Sequence, residues 1–320
     1  MAFDIVVFNN QVYLVLTETI TQKVDLFNSA SGGAITLVST SENTGDFAMK
    51  ASFKSIAGLV RRRDVYNGSN PVAEARLTHL QNNSVKVASG TPKVVWEAAQ
   101  YAWVQQNPER AAIVIGEQLA AGMLADMLNV AVSGAAAAIS SVPELNHAAA
   151  AAPTFGDLVT GAGKFGDRMG ALAAWVLHSK SMTDLYGAAV ANGERLFTYE
   201  SVNVIQDPFG RRFVMTDSDA LVDATDPDNT KYRLLGLVPG AVMVEQNSDF
   251  RANVVSTNGT ENIQDSYQAE WSYNLGLYGY SWDITNGGKA PTNAAIATVA
   301  SWERTSTSVK DTAGVMITAS

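Results

Sequence analysis

The stretch of the chain that most suggests chemistry is Gly161–Gly166, which reads GAGKFG and matches the pattern G-x-G-x-x-G. In dinucleotide-binding proteins this pattern joins a strand to a helix that holds a pyrophosphate, and an acid about 20 residues later binds the ribose. The preceding residues, TFGDLVT, are instead typical of a capped helix start, and Asp184 stands near the required distance on a different predicted element. We interpret Gly161–Gly166 as an ordinary loop, with a nucleotide-binding enzyme as an alternative.

The three histidines, His79, His147 and His178, are far apart in the sequence. A zinc site would need ligands clustered at short spacing. His178 precedes Ser179, but neighbouring residues on a strand point to opposite faces, which argues against a nucleophile beside its base. The sequence has no G-x-S-x-G pattern. We therefore predict no catalytic, cofactor-binding or metal-binding residues.

Two charged clusters suggest contacts rather than catalysis. Arg61–Asp64 reads RRRD, and in a chain with a net charge of −9 it is expected to pair with acids of a partner subunit or to face solvent rather than to bind nucleic acid. Residues 216–229 form an acidic segment whose spacing does not match a helix–loop–helix calcium site, so a solvated loop is favoured. Its acids are Asp217, Asp219, Asp223, Asp226 and Asp228.

Two lysines in the same region as the basic cluster could in principle form isopeptide bonds to an asparagine. They are Lys50 and Lys54. Nothing near them in the sequence identifies the asparagine or an assisting glutamate, so the sequence does not predict a crosslink.

The composition limits the function classes. The chain has 320 residues, 47% of them apolar and only 17% charged, and no cysteine. Few charges are expected either when much of the surface is buried against partners or in a large monomer rich in alanine and glycine, and composition leaves both open. Because the chain has no cysteine, disulfides and thiolate metal sites are excluded. The start of the sequence lacks the features of a secretory signal. No long uninterrupted apolar run is present, so no membrane span is predicted.

The first half of the chain contains one strong helix signal. Asn107 could cap it, Pro108 suits its first position, and Ile115, Leu119, Met123 and Met127 recur every four residues. The helix is expected to reach Gly134 or beyond, with glycine and alanine on its apolar face allowing a neighbouring backbone to approach closely. Before it, residues 1–34 are predicted to be an extended arm and residues 35–66 a long hairpin with little core of its own, followed by a short helix from Pro71.

The second half alternates strands and short helices. Thr154 could cap a helix, ALAAWVLHS is predicted to be a buried strand, and Ser179 could cap a helix that ends at Gly193. Strands are then expected on both sides of Pro239-Gly240 and through residues 250–284. A short helix opened by Pro291 or Thr292 and a closing strand, AGVMITA, complete a mixed α+β chain.

The order of these elements resembles a known family. An arm, a long two-stranded loop, one long helix and a strand–helix–strand domain are similar to the major capsid protein of tailed double-stranded-DNA bacteriophages, which has the Hong Kong 97-type fold. WVLHSKSMTDL (Trp175–Leu185) is similar to the strand and capped helix of its axial domain. Gly288–Ile317 is similar to its C-terminal Pro-Thr-Asn helix, tryptophan and final strand.

The resemblance implies a domain assignment. Residues 1–34 would be the N-terminal arm, 35–90 the extended loop, 91–150 the peripheral domain with its spine helix, 151–245 the axial domain, 246–284 peripheral strands, and 285–320 the C-terminal part of the axial domain.

The resemblance also implies a function. The chain would assemble with itself into hexamers and pentamers of an icosahedral shell in the virion, formed in the host cytoplasm and enclosing DNA without sequence-specific binding. A separate scaffolding protein, a portal and a decoration protein would be further partners, with no cofactor, no membrane and no enzymatic turnover. The arm and the hairpin would then find on sister subunits the packing that they lack at home. An encapsulin-like nanocompartment shell is the alternative with the same fold.

Overall fold

The structure of the protein is a computed structural model. The structure describes residues 5–41, 45–53, 60–63, 65–66, 68, 71–72, 74, 76, 78–97, 107–186, 194–199, 202–206, 211–224, 226, 229–259 and 261–320. Within these ranges the α-helices are α1 (Ile5–Ala30), α2 (Pro108–Ser140), α3 (Phe155–Gly163), α4 (Ser179–Tyr186), α5 (Ile284–Gly287) and α6 (Asn293–Ile296). The strands of the first half are β1 (Ile35–Ser41), β2 (Phe47–Phe53), β3 (His79–Gly90), β4 (Val94–Glu97) and β5 (Asn146–Ala148).

The remaining strands belong to the second half of the chain. They are β6 (Ala174–Leu177), β7 (Glu194–Tyr199), β8 (Val202–Gln206), β9 (Arg212–Thr216), β10 (Val222–Asp223), β11 (Lys231–Leu237), β12 (Val242–Asn247), β13 (Arg251–Thr257), β14 (Gln264–Leu277), β15 (Tyr280–Trp282), β16 (Trp302–Arg304) and β17 (Gly314–Ala319). The α+β class expected from the sequence is confirmed.

The N-terminal segment is a helix and not the predicted extended arm. α1 runs for 26 residues, and its buried apolar side chains follow helical spacing. They are Phe8, Val12, Leu16, Ile20, Val24 and Phe27. The prediction was wrong because the many valines, isoleucines and threonines of this segment favour a strand, and burial of one helical face overrides that preference.

The long helix α2 confirms the strongest sequence prediction and extends it to Ser140, over 33 residues or about 50 Å. Pro108 takes the first position, but the side chain of Asn107 makes no capping hydrogen bond, contrary to expectation. The predicted close approach is confirmed at Gly116. A Cβ placed there would lie 3.2 Å from the carbonyl oxygen of Val12 and 3.1 Å from Cγ1 of Val15, so α1 packs directly on the backbone of α2.

The first sheet has the strand order β1-β12-β14-β3-β2, and both β4 and β13 also pair with β14. All pairs are antiparallel except β1 with β12. The predicted hairpin over residues 35–66 is therefore partly wrong, because β1 pairs with β12, and the hairpin is made of β2 and β3. The described residues just after Pro71 are not helical, so the short helix predicted there is not found among them.

The second sheet has the order β5-β17-β11-β6-β9-β8-β7, with β10 beside β11. All four residues of β6 are buried, as predicted for ALAAWVLHS. β11 and β12 are consecutive strands, as predicted around Pro239-Gly240, yet they belong to different sheets. Gly240 has a φ of +68°, and the chain crosses from the second sheet to the first at this turn.

Helix α2 connects the two sheets. A Cβ at Gly134 would lie 3.0 Å from Leu275 of the first sheet and 3.2 Å from Trp302, and near the end of the helix the Ser140 hydroxyl is 3.7 Å from the sulfur of Met316 in the second sheet. Its residues 109–140 are long and apolar enough to cross a membrane, but 72% of the most apolar window is buried inside the protein. That burial is typical of a core helix, so the length and composition are weak evidence for a membrane span.

The two C-terminal tryptophans form a small core beside the first sheet. Trp282 and Trp302 meet edge to face with ring centroids 4.9 Å apart. Their indole N–H groups donate to the carbonyl oxygens of Gly288 and Ile296, each at 3.0 Å. Of the two residues proposed to open the nearby helix α6, Thr292 is the cap, since its hydroxyl accepts a hydrogen bond from the Ala295 N–H at 3.3 Å.

Candidate assembly surfaces

The glycine-rich stretch is part of a helix and its exit. Thr154 caps α3 in a capping box with Asp157, as predicted, and Gly161 lies in the last turn. A Cβ at Gly161 would lie 2.6 Å from the side chain of Ile317, so this glycine allows α3 to pack closely on β17. Because a helix and not a strand precedes the motif, the geometry of a dinucleotide site is not present here. Asp184 lies on α4 and forms an ion pair with Lys180 at 2.5 Å.

The end of this stretch is tied to the C-terminal segment. Gly166 has a φ of +62°, and a Cβ there would lie 3.3 Å from Cε of Lys310. Two adjacent ion pairs follow, Asp167 with Lys310 at 2.5 Å and Arg168 with Asp311. The interpretation of Gly161–Gly166 as an ordinary flexible loop is therefore wrong in its first part, which is helical and packed.

The histidines lie apart in the structure. The Nε2 atom of His147 is 3.0 Å from Oδ1 of Asp157, a partner ten residues away that sequence spacing did not indicate. His178 Nδ1 accepts a hydrogen bond from the backbone N–H of Lys180 at 3.1 Å, and its Nε2 is 3.6 Å from Asp217. Among the described residues, no group of three or more His, Asp or Glu side chains could hold a metal ion.

Two of the carboxyl groups with lowered pKa values, Asp157 and Asp249, connect elements of the fold. Hydrogen bonds from Thr154, and then from His147, lower the pKa of Asp157. Burial opposes ionisation of Asp249, but hydrogen bonds from Ser272 and Lys86 outweigh it and lower its pKa. Both carboxylates are structural: one completes the cap of α3, and the other ties the loop after β12 to β14 and β3.

The charged clusters differ in their surroundings. Arg61, Arg62 and Arg63 are exposed, and Asp64 lies outside the described residues. In the acidic segment Asp223 pairs with Arg233 at 3.0 Å, which makes part of it structural, and Asp228 also lies outside the described residues.

Lys50 holds the hairpin to the face of the first sheet. Its Nζ is 2.6 Å from Oε1 of Glu245 on β12, two strands beyond β3. A Cβ at Gly276 would lie 2.6 Å from Oγ of Ser84, so a larger side chain at residue 276 would clash with this serine. The small residues at both positions leave space on this face of the sheet for the lysine side chain. Lys54 lies outside the described residues.

Exposed large apolar side chains occur along much of the described chain, and two groups of them are used below. The hairpin loop exposes Val60 (94%) and Val65 (71%), and the region where β4 and β13 flank β14 exposes Val95 (46%), Val255 (46%) and Ile263 (61%). Single exposed apolar residues are ordinary, but clusters of them on projecting elements are typical of surfaces that other molecules cover.

Comparison with known proteins agrees with such a role. Residues 4–316 match the family described as Gp13-like, Major capsid protein 13-like. The chain belongs to this family of major capsid proteins. No curated protein matches the chain.

Solved structures that match the chain come from phages. The match to the Cyanophage Pam1 capsid asymmetric unit has a TM-score of 0.51 at 12% identity and covers 89% of this chain and 88% of that one. The head structure of Helicobacter pylori bacteriophage KHP40 matches with a TM-score of 0.47 at 8% identity over 89% and 88%. Mycobacterium phage Adephagia gives 0.46 at 9% identity over 91% and 89%.

The family and the Pam1 likeness confirm the resemblance stated from the sequence. This Gp13-like protein has the fold of phage capsid subunits, of the Hong Kong 97 type, and it is a shell-forming protein of the virion capsid. The nucleotide-binding and encapsulin-like alternatives are not favoured.

Proposed function

We propose that this Gp13-like protein builds its shell from hexamers and pentamers that enclose the phage DNA, and that the β2–β3 hairpin of each subunit lies across a neighbouring copy. The observation that carries the proposal is the exposure of the hairpin loop, where the side chains of Val60 and Val65 are 94% and 71% exposed in the single subunit. Within the described strands, residues 79–84 of β3 pair with β2 and not with β14, so this end of the hairpin is a two-stranded ribbon that packing on a neighbour would stabilise.

The N-terminal segment has a smaller part in this proposal than the sequence suggested. Since α1 packs on α2 through Gly116, the arm finds its packing within the subunit. The hairpin is therefore the element that we expect to reach a neighbouring subunit, while α1 keeps Tyr13, Leu14 and Leu26 exposed on its outer face.

The proposed domains follow the two sheets. The first sheet with α2 would be the peripheral domain, and the second sheet the axial domain that faces the five-fold and six-fold axes. The sheet pairing supports a boundary at Pro239-Gly240. On this proposal residues 35–41 would belong to the peripheral domain, and only the last strand of residues 285–320 would belong to the axial domain.

The partners and the absence of turnover belong to the same proposal. A separate scaffolding protein and a portal would direct assembly, with a decoration protein as an added partner. A subunit with a net charge of −9 suits an inner wall that DNA does not adhere to. Retention of DNA on the inner wall after a high-salt wash would contradict the proposal that DNA does not adhere to this wall.

The experiment is electron microscopy of the purified wild-type protein across a range of concentrations. We expect closed shells or rings of five and six subunits. A dispersed monomer at every concentration, with a folded circular-dichroism spectrum, would contradict the proposal. A nicotinamide and adenine nucleotide titration of the same sample is expected to show no saturable binding.

A further inference from the structure

Asparagine followed by glycine is a pair that can react with itself, because glycine has no side chain to hinder the approach of its amide nitrogen to the asparagine side chain. The sequence contains four such pairs, which begin at Asn67, Asn192, Asn258 and Asn286. Asn67 and Asn192 lie outside the described residues, and the structure describes both members of the other two pairs. The surroundings of these two pairs differ, so the structure separates sites that the sequence presents as equivalent.

The pair Asn258-Gly259 lies in the turn between β13 and β14 and is open to solvent. Both residues are exposed, and a Cβ placed at Gly259 would meet no atom within 4 Å. The residues on either side are uncovered too, since Val255 is 46% exposed and Ile263 is 61% exposed. A rearrangement of this pair therefore displaces no packed side chain.

The backbone of this pair is free to move. Among the described residues, none forms a hydrogen bond with the Asn258 side chain or with the Gly259 N–H. Gly259 has a φ of +105°, a conformation that glycine adopts readily and that residues with a side chain rarely adopt. The nitrogen of Gly259 can therefore approach the side-chain carbonyl of Asn258 without first breaking a hydrogen bond to the rest of the described structure.

The pair Asn286-Gly287 has the same sequence and the opposite surroundings. It ends α5, where the Gly287 N–H donates to the carbonyl oxygen of Asp283 at 2.8 Å. The side-chain nitrogen of Asn286 donates to Oδ2 of Asp283 at 2.5 Å. A Cβ at Gly287 would clash with the ring of Trp282. Both nitrogen atoms that a reaction would involve are therefore held, and this turn of helix must open before the pair can react.

We propose that Asn258 is a self-modification site, at which the side-chain amide becomes a carboxylate through a cyclic imide, while Asn286 stays intact in the folded chain. The Gly259 nitrogen attacks Cγ of Asn258, and the new C–N bond replaces the bond to the side-chain nitrogen. That nitrogen leaves as ammonia with the proton of the Gly259 N–H. Water then opens the imide at either carbonyl, which gives aspartate or isoaspartate, and no oxidant or reductant takes part.

The modification changes a region of the subunit that is already acidic. Glu97 accepts a hydrogen bond from Asn262 at 2.9 Å, and Glu261 is exposed in the same turn. Residues 94–97 and 253–267 contain no lysine or arginine. Each conversion adds one negative charge to this region of a chain whose net charge is −9, and isoaspartate also lengthens the main chain of the turn by one carbon atom. The inference concerns the single chain and does not rest on the proposed function.

Incubation of the purified full-length protein at physiological temperature and neutral pH tests the proposal. Trypsin leaves both asparagines in one peptide, residues 252–289, because no lysine or arginine lies between Arg251 and Lys289. Fragmentation mass spectrometry of this peptide measures the gain of one mass unit at each site in the same sample. Asn258 is expected to react at least about tenfold faster than Asn286, a factor that corresponds to an opening free energy of about 1.4 kcal/mol.

The same protein unfolded in urea is the matched control. Without the fold the two pairs have similar surroundings, and their rates are expected to agree within about twofold. The variant Asp283→Ala removes the cap that holds Asn286, so Asn286 is expected to react about fivefold faster while Asn258 keeps its rate.

Three results would overturn the inference. They are equal rates at the two sites of the folded protein, a faster reaction at Asn286, and intact Asn258 in a folded sample whose unfolded control has reacted. Aspartate without isoaspartate at residue 258 would overturn the cyclic imide, because direct hydrolysis of the amide gives aspartate alone. Failure of the wild type to form shells or rings would overturn the proposed function and would leave these rates unchanged.

Discussion

The side chain of Asn28 satisfies both backbone hydrogen-bonding groups of Leu37. Its amide nitrogen donates to the Leu37 carbonyl oxygen at 2.7 Å, and its amide oxygen accepts the Leu37 N–H at 2.9 Å. Because β12 pairs with β1 on the other side, Asn28 occupies the free edge of β1 at this point. The end of α1 is thereby fixed to the first sheet, which is the physical reason that the N-terminal segment belongs to the body of the subunit.

Replacing Asn28 tests this attachment. Asn28→Ala is expected to lower the free energy of unfolding by about 1–3 kcal/mol, because two partly buried backbone groups lose their partner. Asn10→Ala, an exposed position on the same helix, is the control and is expected to change it by less than about 0.5 kcal/mol. Urea unfolding of unassembled subunits measures both, and equal effects would contradict the role of Asn28.

The contact between α1 and α2 predicts that alanine substitutions at two glycines of α2 change the stability of the subunit differently. A Cβ at Gly122 meets no atom within 4 Å, so Gly122→Ala is expected to stabilise the subunit by about 0.5–1 kcal/mol through helix propensity. At Gly116 the new methyl group would press on Val12 and Val15. Gly116→Ala is therefore expected to be at least about 1 kcal/mol less stable than Gly122→Ala in the same denaturation experiment. Similar stability of the two variants would show that α1 does not pack there.

The capping box of α3 predicts a pH dependence. The folded state lowers the pKa of Asp157, so its contribution to stability is present above the pKa of the unfolded chain, about 3.9, and is lost as the pH falls through the folded pKa. Asp157→Asn is expected to lose about 1 kcal/mol at pH 7 and to lose less than wild type on acidification below about pH 4. Thermal unfolding as a function of pH measures this, and an unchanged acid dependence in the variant would contradict it.

The C-terminal tryptophan core predicts a strong effect at a third glycine. A Cβ at Gly287 would lie 2.2 Å from the ring of Trp282, which is packed against Trp302. Gly287→Ala is expected to destabilise the subunit by about 1–3 kcal/mol and to change the tryptophan fluorescence of the folded state. Gly163→Ala, where a Cβ meets nothing within 4 Å, is the control and should leave the fluorescence unchanged.

Local signals in the sequence correctly predicted the elements that depend on interactions between residues close together in the sequence. The long helix, the buried strand before His178, the cap at Thr154 and the closing strand were all found where apolar spacing and capping residues indicated them. The capsid fold itself was indicated by resemblance and not by these patterns, since composition and periodicity predicted only a mixed α+β chain.

The errors come from contacts between residues far apart in the sequence. Residues 5–30 have strand-like side chains, and burial of one helical face, much of it against α2, outweighs that local preference. The partner of β1 is β12, about two hundred residues later, and no local pattern distinguishes that pairing from a hairpin with β2. The His147–Asp157 contact was missed for a related reason, because it joins two elements that meet only in the folded chain.

The central claim is that the β2–β3 hairpin is bound to sister subunits in the shell. The most direct measurement is sedimentation velocity of a variant in which residues 57–75 are replaced by a short glycine-serine linker, beside the wild type. The account predicts a folded monomer, somewhat lighter than the 34.0 kDa wild-type chain, that no longer forms shells or rings. Assembly of this variant at the wild-type concentration and size would contradict the account.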